Sequence, residues 1–316
     1  MKKIVIIGGD PNSVNSELIY KVWKNSKKKI RNKIYLVSNY KLLTQQFRKL
    51  KFPIKLTKIN NLNENISEDY LKIIDINLSF KNPFKVSRNS ASKFFIKCLN
   101  YVHKNCLNSN ISGFINCPID KLLLNKKGVT EYLAKKCEVK NNSEVMLITS
   151  KNFAVCPITT HLNINSISRN ITQKKIINKI ITINNWFKKY KNKKPKLAIL
   201  GLNPHNAEFD NKSEEVKIIL PALKKLKKKN IKINGPFAAD TFFIEDFKKY
   251  DVTVGMFHDQ VITPFKTLFG FEAINMTLGL KYIRISPDHG VAKNLIGKNK
   301  ANHKSLLSCI NFINKF

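Results

Sequence analysis

The chain alternates short apolar, β-branched runs with longer segments whose apolar residues recur every three or four positions, the pattern of strands separated by amphipathic helices. Strands are predicted at Ile4 to Ile7, Ile34 to Val37, Gly113 to Ile115, Val145 to Ile148, Leu197 to Leu200, Val252 to Val254 and Ile283 to Ile285. Helices are predicted at Ser16 to Trp23, Lys93 to Asn105, Ser168 to Lys189 and Glu214 to Lys229. The last of these contains Pro221, whose missing N–H kinks or interrupts a helix. From Asn60 to Ser87 the periodicity is weak, and loops with short strands are expected. The fold class that follows is α/β, built from βαβ units without internal repeats. In open α/β sheets ligands bind beyond the carboxyl ends of the strands, so polar residues just after a strand weigh most in a search for function.

At 316 residues the chain has room for two domains and a cleft between them. Hydrophobic residues at 43% and charged residues at 25% exclude a disordered chain. The net charge of +36, from 57 Lys and Arg against 21 Asp and Glu, raises the question of nucleic acid or an anionic membrane. The lysines, however, are scattered among Asn and Ile, as in Lys188-Lys189-Tyr190-Lys191-Asn192-Lys193-Lys194, and form no nucleic-acid module. They read as a solvated surface, no nucleic-acid partner is expected, and a phosphorylated substrate would still benefit from the field. Cys98, Cys106, Cys117, Cys137, Cys156 and Cys309 form no Cys-x-x-Cys pair and are expected to be reduced core residues. The apolar run after Lys2 and Lys3 is too short for a signal peptide, and no stretch reaches the roughly 18 apolar residues of a membrane span. A cytoplasmic location is expected.

Of six histidines, four lie in polar segments at or soon after predicted strands: His161, His205, His258 and His289. His103 and His303 lie in Lys- and Asn-rich helical surroundings. Imidazole nitrogens suit first-row divalent ions, and a catalytic centre commonly offers three protein ligands with a position open for substrate. Spacing alone does not define such a centre, because ligands this far apart in sequence have no fixed separation and a loop histidine more often only hydrogen-bonds.

The neighbours of these histidines add specificity. Gly201-Leu202-Asn203-Pro204-His205, Gly235-Pro236-Phe237-Ala238-Ala239-Asp240-Thr241-Phe242-Phe243, and Met256-Phe257-His258-Asp259-Gln260 through Pro264-Phe265-Lys266 resemble the 4-hydroxythreonine-4-phosphate dehydrogenase family of vitamin B6 biosynthesis. Asn275-Met276-Thr277-Leu278-Gly279-Leu280, Ile283-Arg284 and Ser286-Pro287-Asp288-His289-Gly290 continue the resemblance in order, covering the chain from about Thr159 onward. The resemblance implies an isocitrate/isopropylmalate dehydrogenase-like fold, with two α/β domains flanking a cleft. Residues 1–125 plus 286–316 would form the outer domain and 126–285 the central one, which would carry most of a homodimer interface. It implies that His161, His205 and His258 bind a divalent cation (Zn, Mg or Co), one of the three coming from the partner subunit. Thr130, Lys266, Asn275 and Arg284 would contact the phosphorylated substrate, and Asn203, His289, Gly290 and Asn294 would contact NAD. The residue types suit the chemistry. A cation acidifies a bound hydroxyl and polarises the ketone formed from it. Lys266 can relay the proton or hold a carboxylate, Arg284 offers a planar fork to an anion, and Asp240 and Asp259 can orient imidazoles or substrate.

The amino-terminal half departs from that pattern. The family's glycine-rich first turn reads Gly9-Asp10-Pro11-Asn12-Ser13-Val14-Asn15-Ser16-Glu17 here, so two glycines are missing and the loop geometry is expected to differ. The family's Gly-His-Thr-Glu appears as Gly128-Val129-Thr130-Glu131, the stretch after Lys121 is shortened, and Asn206-Ala207-Glu208 replaces Ala-Gly-Glu. No Gly-x-Gly-x-x-Gly fingerprint is present, so NAD is implied by the resemblance alone. The implied reaction is NAD-dependent oxidation of 4-phosphooxy-L-threonine to a β-keto acid that decarboxylates to 3-amino-2-oxopropyl phosphate. Two alternatives stay open: a dehydrogenase of an erythronate- or threonate-type four-carbon acid phosphate, and a catalytically silent anion-binding homologue.

Overall fold

The computed structural model describes residues 3–108, 110–125, 128–140 and 143–316, together with all their side chains except that of Phe271. Lys2, which opens the basic stretch before the first strand, lies outside the described residues. In chain order the strands are β1 (Ile4–Ile7), β2 (Ile34–Ser38), β3 (Lys55–Ile59), β4 (Tyr70–Asp75), β5 (Gly113–Asn116), β6 (Val145–Ser150), β7 (Phe153–Pro157), β8 (Leu197–Leu200), β9 (Ile233–Phe237), β10 (Val252–Gly255), β11 (Ile274–Leu278) and β12 (Ile283–Pro287). All seven predicted strands are among them, and the fold is α/β. The chain divides into two compact units, one of residues 1–132 and 281–316, the other of residues 133–280.

In the first unit the strand order is β3-β4-β2-β1-β5-β12, and every pairing is parallel. Such a sheet is covered on both faces, which is why β1, β2 and β5 read as continuous apolar runs and are buried at every position. The order reverses at β1, flanked by β2 and β5, so the crevice beyond its carboxyl end is the favoured place for a ligand. The helix Arg88–Leu107 is longer at both ends than its periodic core and begins at Ser87, whose hydroxyl accepts the Ser90 N–H.

The second unit has the order β11-β6-β7-β10-β8-β9. The pairs β11–β6 and β6–β7 are antiparallel, whereas β7, β10, β8 and β9 run parallel. Its core gathers Phe153, Leu200, Phe242, Val261 and Phe265, with the rings of Phe153 and Phe265 stacked at 6.1 Å. Each such fully buried side chain contributes roughly 1.5–3 kcal/mol of apolar transfer energy.

Two predicted helices are corrected. The segment Ser168 to Lys189 is divided into a short turn Ile167–Asn170 and a helix Gln173–Lys191. Ile171 turns extended, and the Thr172 hydroxyl accepts the Lys175 N–H, so a side-chain cap starts a new helix where apolar spacing alone ran through. The segment Glu214 to Lys229 opens with a π-helical turn Glu215–Ile219 before the α-helix Leu220–Lys228. Pro221 has no N–H to give, and its ring would crowd the carbonyl of Lys217, inside the widened turn. All six cysteines are free and buried, as expected. Burial pushes the thiols up, to about 11 for Cys156 and about 12 for Cys117, so neither is a nucleophile at neutral pH. Among the described residues no helix is long and apolar enough to cross a membrane.

Candidate metal and cofactor sites

His161, His205 and His258 follow the carboxyl ends of β7, β8 and β10, which stand side by side in the order β7-β10-β8. The pairing of β7 with β10 continues past both strands: Ile158 N–H donates to Gly255 O at 2.8 Å and Thr159 N–H to Met256 O at 3.1 Å. The Thr159 hydroxyl adds a bond to the same carbonyl at 2.7 Å. Two residues further along each chain come His161 and His258, and their ring centroids are 5.7 Å apart. Continued past the strands, the register that pairs Gly255 with Pro157 sets Thr160 opposite His258, so His161 lies one residue further on. The two rings are neighbours because β7 and β10 are adjacent, about 4.8 Å apart as paired strands are.

His258 opens the helix His258–Phe269, and its Nδ1 lies 2.6 Å from Asp259 Oδ1. A carboxylate at Nδ1 accepts the proton there and leaves the Nε2 lone pair for a cation. His161 is exposed and sits at a φ of 54°, a left-handed conformation that turns its ring back from the strand direction. His205 is carried by β8, on the far side of β10 from β7, and stands apart from this pair. Its side chain is 70% exposed, with Nε2 4.0 Å from Asp240 Oδ2 and Nδ1 3.9 Å from Glu208 Oε1. Among the described residues no group of three or more His, Cys, Asp or Glu is close enough to hold a metal ion. Within one chain, then, the donor set is two imidazoles side by side and a third on the same rim. The imidazole donors suit a first-row divalent cation.

The loop carrying His205 is unusual. His205, Asn206, Ala207, Glu208 and Phe209 all have φ between 48° and 57°, a left-handed turn of five residues, none of them glycine. Each costs roughly 1–2 kcal/mol relative to the right-handed form, so the surroundings must hold the turn in place. Fully buried Glu215 accepts the N–H groups of Leu202 and Asn203 at 2.7 and 2.9 Å, and its other oxygen accepts the Asn203 side-chain amide at 2.9 Å. Glu214 accepts from the same amide and from the Ser168 hydroxyl, and these bonds hold its carboxyl below the usual range. Gln260 ties the ends of β10 and β8 together, donating to Gly201 O and accepting the Met256 N–H, each at 2.7 Å. Glu215 and Gln260 were missed by the sequence reading. The only sign of them was a pair of acidic residues opening a predicted helix, and the glutamine of the His-Asp-Gln motif.

In the first unit the segment after β12 lies against the crevice at β1. Val291 O accepts the Val14 N–H at 3.2 Å, and Lys293 Nζ pairs with Asp120 Oδ2 at 2.7 Å. Asp120 and Lys293 are shifted in opposite directions mainly by this bond, the carboxyl down and the amine up. His289 hydrogen-bonds Gly290 O through Nδ1 at 3.0 Å, while its Nε2 is shielded from solvent with no partner among the described residues. An orphaned polar atom in the crevice suits a cofactor contact. Gly290 and Asn294 are exposed on the same segment, whereas Asn203, the remaining expected cofactor residue, belongs to the second unit and is occupied by Glu214 and Glu215.

The glycine-poor first turn is closed by side chains instead. Asn12 donates to and accepts from Val86 at 2.8 Å, the Ser13 hydroxyl donates to Asp10 O, and Asn15 Nδ2 reaches Gly8 O at 3.0 Å and Pro118 O at 2.8 Å. Gly9 remains, at a φ of 75°, where a Cβ would come within 2.7 Å of Pro118 O.

The expected phosphate residues divide between the units. Thr130 and Arg284 belong to the first, Lys266 and Asn275 to the second. Arg284 is buried and donates from Nε to Asn116 Oδ1 at 2.6 Å. Burial lowers its pKa to about 10, which still leaves it charged at neutral pH. Val129 is buried at the start of the helix Val129–Lys136, Lys266 is exposed on the helix His258–Phe269, and Asn275 carries a shielded side-chain oxygen without a partner among the described residues.

Comparison with known proteins places the chain in a family. The family model described as pyridoxal phosphate biosynthetic protein PdxA matches residues 29–313. The chain is 34% identical to the 4-hydroxythreonine-4-phosphate dehydrogenase of Sulfurihydrogenibium sp. (strain YO3AOP1), over 98% of this chain and 97% of that one. It is also 34% identical to the enzyme of the same name from Aquifex aeolicus, over 99% and 97%. The crystal structure of 4-hydroxythreonine-4-phosphate dehydrogenase from Klebsiella pneumoniae is similar with a TM-score of 0.87 at 25% identity, covering 99% of each chain. The chain belongs to the family of the pyridoxal phosphate biosynthetic protein PdxA, a family of dehydrogenases, and is an oxidoreductase of that family.

Proposed function

We propose that the chain oxidises the C3 hydroxyl of 4-phosphooxy-L-threonine with NAD and a divalent cation, giving a β-keto acid that loses CO₂ to form 3-amino-2-oxopropyl phosphate. It acts as a homodimer in which His161, His205 and His258 hold the cation, one of them given by the other copy. The observation that carries this reading is the pair of neighbouring imidazoles just beyond two adjacent parallel strands, in a chain of this family. When bound, the cation supplies Lewis acidity toward the substrate hydroxyl, and NAD takes up the hydride. The protein's own groups orient and balance charge. Asp259 fixes the His258 ring, Lys266 relays the hydroxyl proton, and Arg284, Asn275 and Thr130 bind the phosphate-bearing substrate. The segment His289 to Asn294 receives the dinucleotide.

The test is to give the purified protein 4-phosphooxy-L-threonine, NAD and a divalent metal, and to follow NADH together with 3-amino-2-oxopropyl phosphate. Both should form, and chelation should stop them; no NADH under any metal would overturn the proposal. The buried Val129, where the family has a substrate-touching histidine, favours a second reading, a four-carbon acid phosphate of the erythronate or threonate type. A higher kcat/KM for 4-phosphoerythronate than for 4-phosphooxy-L-threonine would select it.

A further inference from the structure

We infer that Glu215 is a positioning residue for His205: a buried carboxylate that clamps the root of the left-handed turn so that the imidazole is presented at the rim. The inference rests on the reading of His205 as a metal ligand.

Three independent features meet at this one side chain. The first is the turn itself, five consecutive residues in a conformation that L-amino acids avoid. Such strain persists only where neighbouring structure over-determines it. The second is the buried carboxylate. Glu215 is wholly inaccessible to solvent, and among the described residues no lysine or arginine is bonded to it; its charge is met by two backbone N–H groups and one amide at Leu202 and Asn203. Those residues immediately precede Pro204, whose ring fixes φ and carries the chain into His205. The third is the π-helical turn Glu215–Ile219, which begins at this residue. A wider turn costs hydrogen-bond quality and commonly marks a functional position. An α-helix with unbroken periodicity would place residue 215 at a different angle, so the π turn and the clamp belong to one device. The orientation of His205 thereby depends on a residue ten positions away in sequence, which acts through Leu202 and Asn203.

The probe is Co²⁺ added to chelator-stripped protein, read by the visible absorption of the bound ion, for the wild type, Glu215→Gln, His205→Ala and the double variant. Glutamine keeps the volume but sets an amide donor against the Asn203 amide, so Co²⁺ affinity should fall about tenfold or more, the usual loss when a group that orients a ligand is changed. In the His205→Ala background the same substitution should change affinity less than about twofold, because two residues acting through one another are not additive. An equal loss with and without His205 would overturn the inference, since Glu215 would then act through general stability. So would unchanged Co²⁺ affinity in Glu215→Gln. Unchanged affinity in His205→Ala would instead remove the histidine from the ligand set and both readings with it. If Glu215→Gln does not yield folded protein, Glu215→Asp, which keeps the charge but withdraws it by one methylene, takes its place in the same cycle with a smaller expected loss.

Discussion

The first βα turn and the His205 turn have both lost glycines that the family carries, and they have met the loss differently. At Asp10 to Asn15 the missing flexibility is made good by side chains: Asn12, Ser13 and Asn15 each bond backbone groups, and the turn is buried and relaxed apart from Gly9. At His205 to Phe209 the lacing is sparser: Asn206 donates its side-chain amide to Pro236 O at 3.4 Å, the residues stay left-handed, and the root of the turn is restrained from outside through Glu215. A turn that only closes a crevice can be redesigned around its own hydrogen bonds. One that must project an imidazole outward cannot fill the same space with bonding side chains, and so keeps its strain.

The contrast is breakable in four places, taken from the largest effect to the smallest. Asn15→Ala removes the donor serving Gly8 O and Pro118 O and strands the first, while Pro118 O keeps the Asp10 N–H; stability should fall by about 2 kcal/mol, and an unmoved urea midpoint would show that the lacing is incidental. Asp259→Asn takes the charge from beside His258 Nδ1, and Co²⁺ affinity should fall about tenfold with no change in the urea midpoint. Ala207→Gly relieves one left-handed residue and should raise stability by about 1 kcal/mol, seen as a later urea transition; a loss would mean that the turn is not strained.

The smallest effect is electrostatic. The Asp120 carboxyl is held below its ordinary value, first by the Lys293 bond, so its contribution is present above the unfolded pKa of 3.8 and fades as the pH falls through the lower folded value. Asp10, raised chiefly by burial, has the opposite sign: keeping it ionised costs stability at neutral pH, and the cost disappears on acidification. Asp120→Asn should therefore cost under about 1 kcal/mol at pH 7 and nothing at the acid end, read from urea midpoints across pH.

Strands with continuous apolar runs, such as Ile4–Ile7 and Leu197–Leu200, could be read from their residues because burial on both faces demands that composition. The strand β7 escaped notice because it follows β6 after only Lys151 and Asn152, and β9 because Gly235 and Pro236 interrupt its pattern. The β11 strand alternates Asn275 and Thr277 with apolar residues and makes no run. The histidines were visible as loop residues, but nothing local in the sequence encodes the adjacency of His161 and His258. That adjacency comes from β7 and β10 being neighbours although nearly a hundred residues apart, which the family resemblance supplied and spacing could not. The left-handed run was illegible for a different reason: its stability is lent by Glu215, and the turn residues themselves carry no marker beyond Asn206.

The backbone bonds joining Thr159 to Met256 have one more consequence. They make the two-imidazole half of the proposed centre a property of the sheet, ready before any assembly, while in the proposed homodimer the remaining ligand comes from the other copy. Loading with metal and association of copies are then linked equilibria: dilution should empty the centre, and an excess of cation should draw separated chains together.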